Sequence, residues 1–187
     1  MVEGTMAIQY EVLTAIGTDR VGIVDDLSAL IEESSCNIEE SRMAVLGGEF
    51  AVIMLITGEE GQIDLLRESI KDIENKLDLS IVSKKTEAPH MAPAGRPYLI
   101  ESFSLDAPGI VHSVSALLHK YNINIEDLET DTSSAPWTGA AMFHMRAHII
   151  VPSSISVPEL REQLEKLEHD RDLDITMKPV PIHWTEQ

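Results

Sequence analysis

Apolar and polar positions alternate through "AIQYEVLTAIG", residues 7–17, a stretch rich in β-forming side chains, and predict a strand. Beyond Gly22 the period changes. Ile23, Leu27, Leu30 and Ile31 fall at helical spacing, and the helix stops near "ESSCN". "NIEESRMAVLG" and "EFAVIMLITG" read as a hairpin joined at Gly47-Gly48, a pair suited to a tight turn. Ile63, Leu66, Ile70, Ile73 and Leu77 step by three and four, the mark of an amphipathic helix, and "LDLSIVSK" closes with a strand. The order is β-α-β-β-α-β.

The second half repeats that order. "YLIESFSL" predicts a strand, and Ile110, Val111, Val114, Leu117 and Leu118 a helix. "INIEDLETDT" and "AAMFHMRAHIIV" read as strands. "SVPELREQLEKL" reads as a helix opened by a capping box from Ser156 to Glu159, and "LDITMKPVPI" as the last strand. The repeat is also literal. Asp19, Gly22, Ile23, Val24, Ser28, Ala29, Leu30, Asn37, Ile38 and Glu39 recur, 87 positions on, as Asp106, Gly109, Ile110, Val111, Ser115, Ala116, Leu117, Asn124, Ile125 and Glu126. Ten identities in one gapless register mark two copies of one unit. The fold class is α+β, two ferredoxin-like βαββαβ domains in tandem. Domain 1 is expected over residues 6–86 and domain 2 over 97–184. The intervening residues 87–96, marked by Pro89, Pro93 and the following Pro97 and without apolar periodicity, form a Pro-rich linker. The second copy carries an insertion in its hairpin, "SSAPWTG", where Trp137 either covers a pocket, packs on a partner or lies back on its own core.

Composition narrows the function. Thirty-two acidic residues against 14 basic give a net charge of −18, and no basic block appears, so the chain is a poor direct ligand for DNA or RNA. No apolar run is long enough to span a membrane. The N-terminus lacks a basic region followed by an apolar core, and the single cysteine, Cys36, excludes an intrachain disulfide. These features predict a cytoplasmic protein, and the apolar neighbours of Cys36 predict a structural thiol. Nothing calls for a cofactor. G-x-S-x-G, H-E-x-x-H and P-loop patterns are all absent. His144 and His148, with Arg146 between them on one strand face, have no evident third partner for a metal. That polar face contrasts with "AVIMLIT" in the first copy, apolar on both faces, which predicts a first sheet whose outer face is covered by another module or subunit. His112 and His119, seven apart, read as solvated helix positions, His112 lying close to the glycine.

The candidate chemistry lies where a strand gives way to a helix. The first amides of a helix have no intrahelical acceptor and sit at the positive end of its dipole. Gly22 and Gly109 leave them open to a carboxylate. Asp19 and Asp106 offer a partner for an ammonium group, and Asn37 and Asn124 both a donor and an acceptor. Together these suit a free amino acid. The competing reading makes the aspartates helix caps and the glycines turn formers, and spacing does not choose between the two.

"TAIGTDRVGIVDDLSALIEESSCNIEESR" and "DAPGIVHSVSALLHKYNINIEDL" each resemble the opening strand, ligand loop and helix of an ACT domain, a regulatory module that binds amino acids. Two such modules spanning about residues 8–182 resemble the glycine cleavage system transcriptional repressor family. The resemblance implies a non-enzymatic sensor of glycine or serine that acts through a transcription activator protein, not DNA, and that forms a homodimer. The alternative is an ACT-type regulatory subunit docking on a metabolic enzyme, as ACT modules also occur within enzymes such as formyltetrahydrofolate deformylase. It further implies ligand-binding roles for Asp19, Arg20, Val21, Gly22 and Ile23 with Asn37 and Ile38. The same roles fall on Asp106, Pro108, Gly109 and Ile110 with Asn124 and Ile125. Val21 departs from the proline common at that place, which Pro108 keeps.

Overall fold

A computed structural model describes residues 7–88 and 94–181. The chain divides into two compact units, Met1–His90 and Met91–Gln187. In the first, β1 (Ile8–Thr18), α1 (Ile23–Glu33), β2 (Asn37–Leu46), β3 (Glu49–Glu59), α2 (Glu60–Leu77) and β4 (Ser80–Thr86) form an antiparallel sheet in the order β2-β3-β1-β4. The second repeats it with β5 (Gly95–Leu105), α3 (Ile110–Lys120), β6 (Ile125–Ser134), β7 (Ala141–Pro152), α4 (Val157–Arg171) and β8 (Asp174–Pro179), ordered β6-β7-β5-β8. Both are the ferredoxin-like βαββαβ sandwich that the periodicities predict.

Strand alternation decides where each core sits. Leu13 and Ala15 of β1 and Phe50, Met54 and Ile56 of β3 face the helices and are buried with Ile23, Leu27, Ile31, Ile63, Leu66 and Ile73. The second core gathers Tyr98, Ile100, Val114, Leu118, Met145, Ala147, Ile149 and Leu160. Cys36, half-buried, packs against the first core, where burial pushes its thiol pKa up. At Gly47 and Gly48, φ of +62° and +87° give the primed turn that matches strand twist.

Three local details differ from the sequence reading. β5 begins at Gly95, two residues inside the predicted linker, because Pro97 is tolerated near a strand end where its missing N–H costs little. Residues 89–93 of that linker lie outside the described residues, as do residues 182–184 at the end of the second predicted domain. The Ser156 hydroxyl accepts from the Glu159 amide at 3.4 Å, but the Glu159 carboxylate takes the Tyr121 hydroxyl at 3.1 Å, so the capping box is half made. Trp137 does not lie back on its core, being 97% exposed.

The first core also encloses a charge. Glu11 is 1% exposed; Arg67 of α2 donates to both its oxygens, at 3.2 and 2.6 Å, and Ser83 of β4 donates to one. Burial pushes this carboxyl up, but the bonds from Arg67 and Ser83 outweigh it and hold it below its ordinary value. A depressed folded pKa means the contribution is full above the unfolded value and is lost as pH falls through the folded one. Arg67→Ala is therefore expected to cost about 2 kcal/mol near neutral pH, less than the ~3–5 of a fully buried pair because Arg67 is a third exposed. The penalty should shrink on acidification, as the stranded carboxyl is neutralised. Urea unfolding from pH 7 down to 4 measures both; a pH-independent penalty would contradict the assignment.

Candidate functional site

The strand–helix junctions sit at the hairpin-turn end of each sheet. The Asp19 amide donates to Gly48 O at 3.0 Å, and the Asp106 amide to Ala141 O at 2.9 Å, tying each loop to the end of its neighbouring hairpin. Gly22 and Gly109 then take φ of +88° and +93° and stand at the N-cap positions of α1 and α3. Only glycine adopts that conformation without strain, which is why both copies keep it. Neither helix receives a side-chain cap. Asp19 and Asp106 are thus not the capping residues that the competing reading made them.

The amides that lead each helix are open as a consequence. In the first unit Asp26 N–H bonds Gly22 O at 2.9 Å and Ile23 N–H reaches Arg20 O at 3.4 Å, whereas the amides of Val24 and Asp25 have no acceptor among the described residues. In the second unit the Ser113 amide and hydroxyl both bond Gly109 O, at 2.9 and 2.8 Å, and the amides of Ile110, Val111 and His112 precede them without one. Ile23 packs into its core and Ile110 is buried at the start of α3, 3% and 6% exposed. Their burial anchors each helix start.

The two loops differ in charge. Arg20 bridges to Asp26 at 2.8 Å and donates to Val21 O at 3.4 Å, and Val21 is fully exposed. The corresponding positions hold Ala107, Ser113 and Pro108. There a cleft of about 430 Å³ is lined by Ala107, Gly109, Ile110, Val111, His112 and Phe143. Phe143 pairs with Ser104 as Phe50 pairs with Gly17, but Phe50 is fully buried and Phe143 is not. No motif marked Phe143; its register opposite the loop end of β5 is the signal that places it.

The asparagines lie elsewhere. Asn37 pairs with Thr57 at one end of β3, and Thr18 with Glu49 at the other. The eight intervening steps separate Asn37 from the Gly22 loop by about 26 Å. Asn124 stands at the same remove from Gly109, lining a second cleft of about 440 Å³ with Ser115, His119, Asn122, Ile123 and Ile125. The amides of Asn37 and Asn124 donate to Glu39 and Glu126, at 3.2 and 3.0 Å. Ile38 and Ile125 pack against the cores. Within one unit, loop and asparagine cannot touch the same small molecule.

His144 lies 3.4 Å from Asp131, while Arg146 bridges Glu129 at 2.6 Å and Lys178 bridges Glu101 at 2.9 Å, a ladder of charges across the outer face of the second sheet. The Lys178 ammonium holds the Glu101 carboxyl below its ordinary value. No three His, Cys, Asp or Glu residues among the described ones gather as a metal site, and none of the described helices is long and apolar enough to cross a membrane.

Comparison with known proteins shows what the chain is similar to. Residues 9–84 match the ACT domain family model. The glycine cleavage system transcriptional repressor of Escherichia coli K12 is 32% identical over 158 residues, 84% of this chain and 83% of that protein, and the Shigella flexneri protein of the same name matches equally. A crystal structure of an unknown protein from Galdieria sulphuraria superposes with a TM-score of 0.81 at 34% identity, covering 94% of this chain and all of that one.

A Cβ added at Gly22 or Gly109 meets no atom within 4 Å, so the cost of a side chain there is conformational, not steric. Gly22→Ala and Gly109→Ala should each lower stability by about 1–2 kcal/mol through the positive φ alone. Chemical denaturation checks this. An unchanged midpoint would mean that the loop escapes to another conformation and that the observed helix start is not enforced.

Proposed function

This chain belongs to the glycine cleavage system transcriptional repressor family, and on that footing we propose that it senses a small amino acid, glycine or serine, and passes the signal to a transcription activator protein. The observation that carries this reading is the repeated helix start, led by a glycine at φ +88° or +93° and with unaccepted amides behind it. Those amides and the helix dipole favour a carboxylate. Asp19 or Asp106, free of capping duty, supplies the charge for an ammonium group. Exposed Arg20, Val21 and Pro108 rim the loops. Asn37, and Asn124 with its cleft, lie too far along the sheet to share the ligand with the loop of their own unit, so the loops carry the ligand, and the protein acts as a homodimer.

The protein works without catalysis. Its net charge of −18 repels a polyphosphate backbone, so control of transcription runs through protein contact. Its place of action is the cytoplasm, alongside the transcription machinery. Ligand changes partner affinity only by favouring one of two states, and partner must change ligand affinity by the same factor.

Glycine has five heavy atoms, and a ceiling of about 1.5 kcal/mol per atom caps its affinity near the low micromolar range. Calorimetry of the purified chain against the twenty amino acids should find glycine or serine binding between micromolar and millimolar, and no heat from large apolar side chains. Binding confined to another class of amino acid would overturn the ligand. No binding at all would overturn the sensor.

A further inference from the structure

Among the described residues of its own unit, the outer face of the first sheet has no helix over it. Ile16 of β1, Ile53 of β3 and Val82 of β4 are 52%, 49% and 66% exposed. Register fixes what stands beside what. One row across the sheet reads Glu40, Leu55, Val12, Lys84; the next reads Arg42, Ile53, Thr14, Val82; a third reads Ala44, Ala51, Ile16, Ser80. The centre of the face is therefore apolar. In these rows its charges are Glu40 and Arg42 on one edge strand and Lys84 on the other.

We propose that this face is the contact between two copies of the chain, packed sheet on sheet about a two-fold axis parallel to the strands. It rests only on the homodimer part of the reading above and supplies the surface. Three observations commit it to a second copy. First, the Glu40-Leu55-Val12-Lys84 row is self-complementary. A two-fold along the strands keeps each row at its own level and reverses its order, so Lys84 of one copy meets Glu40 of the other, twice, while Leu55 meets Val12. An axis across the strands through that row would instead set Lys84 on Lys84. Second, a chain of charge −18 repels its own copy over most of its surface. Here the three rows sum to +1, whereas the outer face of the second sheet carries Glu101, Asp127, Glu129, Asp131 and Asp174 against Arg146 and Lys178. Third, the area suffices. Four strands spaced about 4.8 Å apart and about 30 Å long offer roughly 570 Å² per copy. The total of about 1,100 Å² lies just above the threshold of a specific interface. Aligned sheet packing is a standard solution for two such faces.

Sedimentation equilibrium of the full chain tests it, with circular dichroism to confirm that each variant is folded. The wild type should be dimeric at ~10 μM, and Ile53→Lys, at an exposed position, monomeric. Lys84→Glu and Glu40→Lys should each weaken the dimer about ten-fold, since each disrupts two exchanged pairs, and the double variant should recover most of the loss. A wild type monomeric at ~100 μM overturns the proposal, and so does an Ile53→Lys dimer as tight as the wild type. If Ile53→Lys leaves a dimer intact but abolishes binding of a different protein, the face belongs to that partner and the proposal fails. No recovery in the double variant overturns the axis. Glycine calorimetry on Ile53→Lys is read separately: a lost dimer with ligand retained bears on the sensor not at all, and ligand absent from wild type leaves the dimer result standing.

Discussion

Two parallel strands in one sheet cannot be joined by a turn; the connection must carry the chain back along the whole sheet. β1 and β2 both run antiparallel to β3 and hence parallel to each other, so α1 has to make that return. This constraint arranges everything else. It puts a helix start at the end of a strand, where the chain must reverse within four residues, and a left-handed glycine makes the reversal possible. It leaves the leading amides of the helix facing outward. It also sends the next strand's first residue, Asn37, to the far end of the sheet. The second unit obeys the same constraint with α3, Gly109 and Asn124.

Duplication has preserved this geometry and let its chemistry diverge. One loop is spanned by the Arg20–Asp26 ion pair; the other has Ala107 and Ser113 in its place and a cleft floored by Phe143. One core encloses a Glu11–Arg67 pair, where the second has Tyr98 at the matching position. One sheet shows an apolar outer face and the other a ladder of ion pairs. The two units share a fold and a helix start, and they differ in what their open faces attract.

Much of this was legible in the residues. Period-two and period-3.6 patterns locate every element, and the 87-residue repeat identifies the duplication without any alignment. The glycine junctions were legible because φ above zero demands that residue type. What was hidden is distance. Asn37 follows Gly22 by only 15 positions, and sequence proximity invited both into one site, but an 11-residue helix fills most of that interval and lands the asparagine at the opposite end of the sheet. Hairpin register, which no local pattern encodes, hid Phe143 for the same reason. The expected cover on the first sheet came from "AVIMLIT", apolar on both faces; within its unit the described residues leave Ile16, Ile53 and Val82 of the outer face about half exposed or more.

The central claim is that a small amino acid docks its carboxylate on the amides that open α1 and α3. An amide chemical-shift titration of the isotopically labelled chain with glycine addresses that claim residue by residue. The account predicts saturable shifts, largest at Val24 and Asp25 or at Ile110, Val111 and His112, with the strand amides of β3 and β7 far from the loops unmoved. Shifts of full size centred on other elements, with these amides silent, would contradict it.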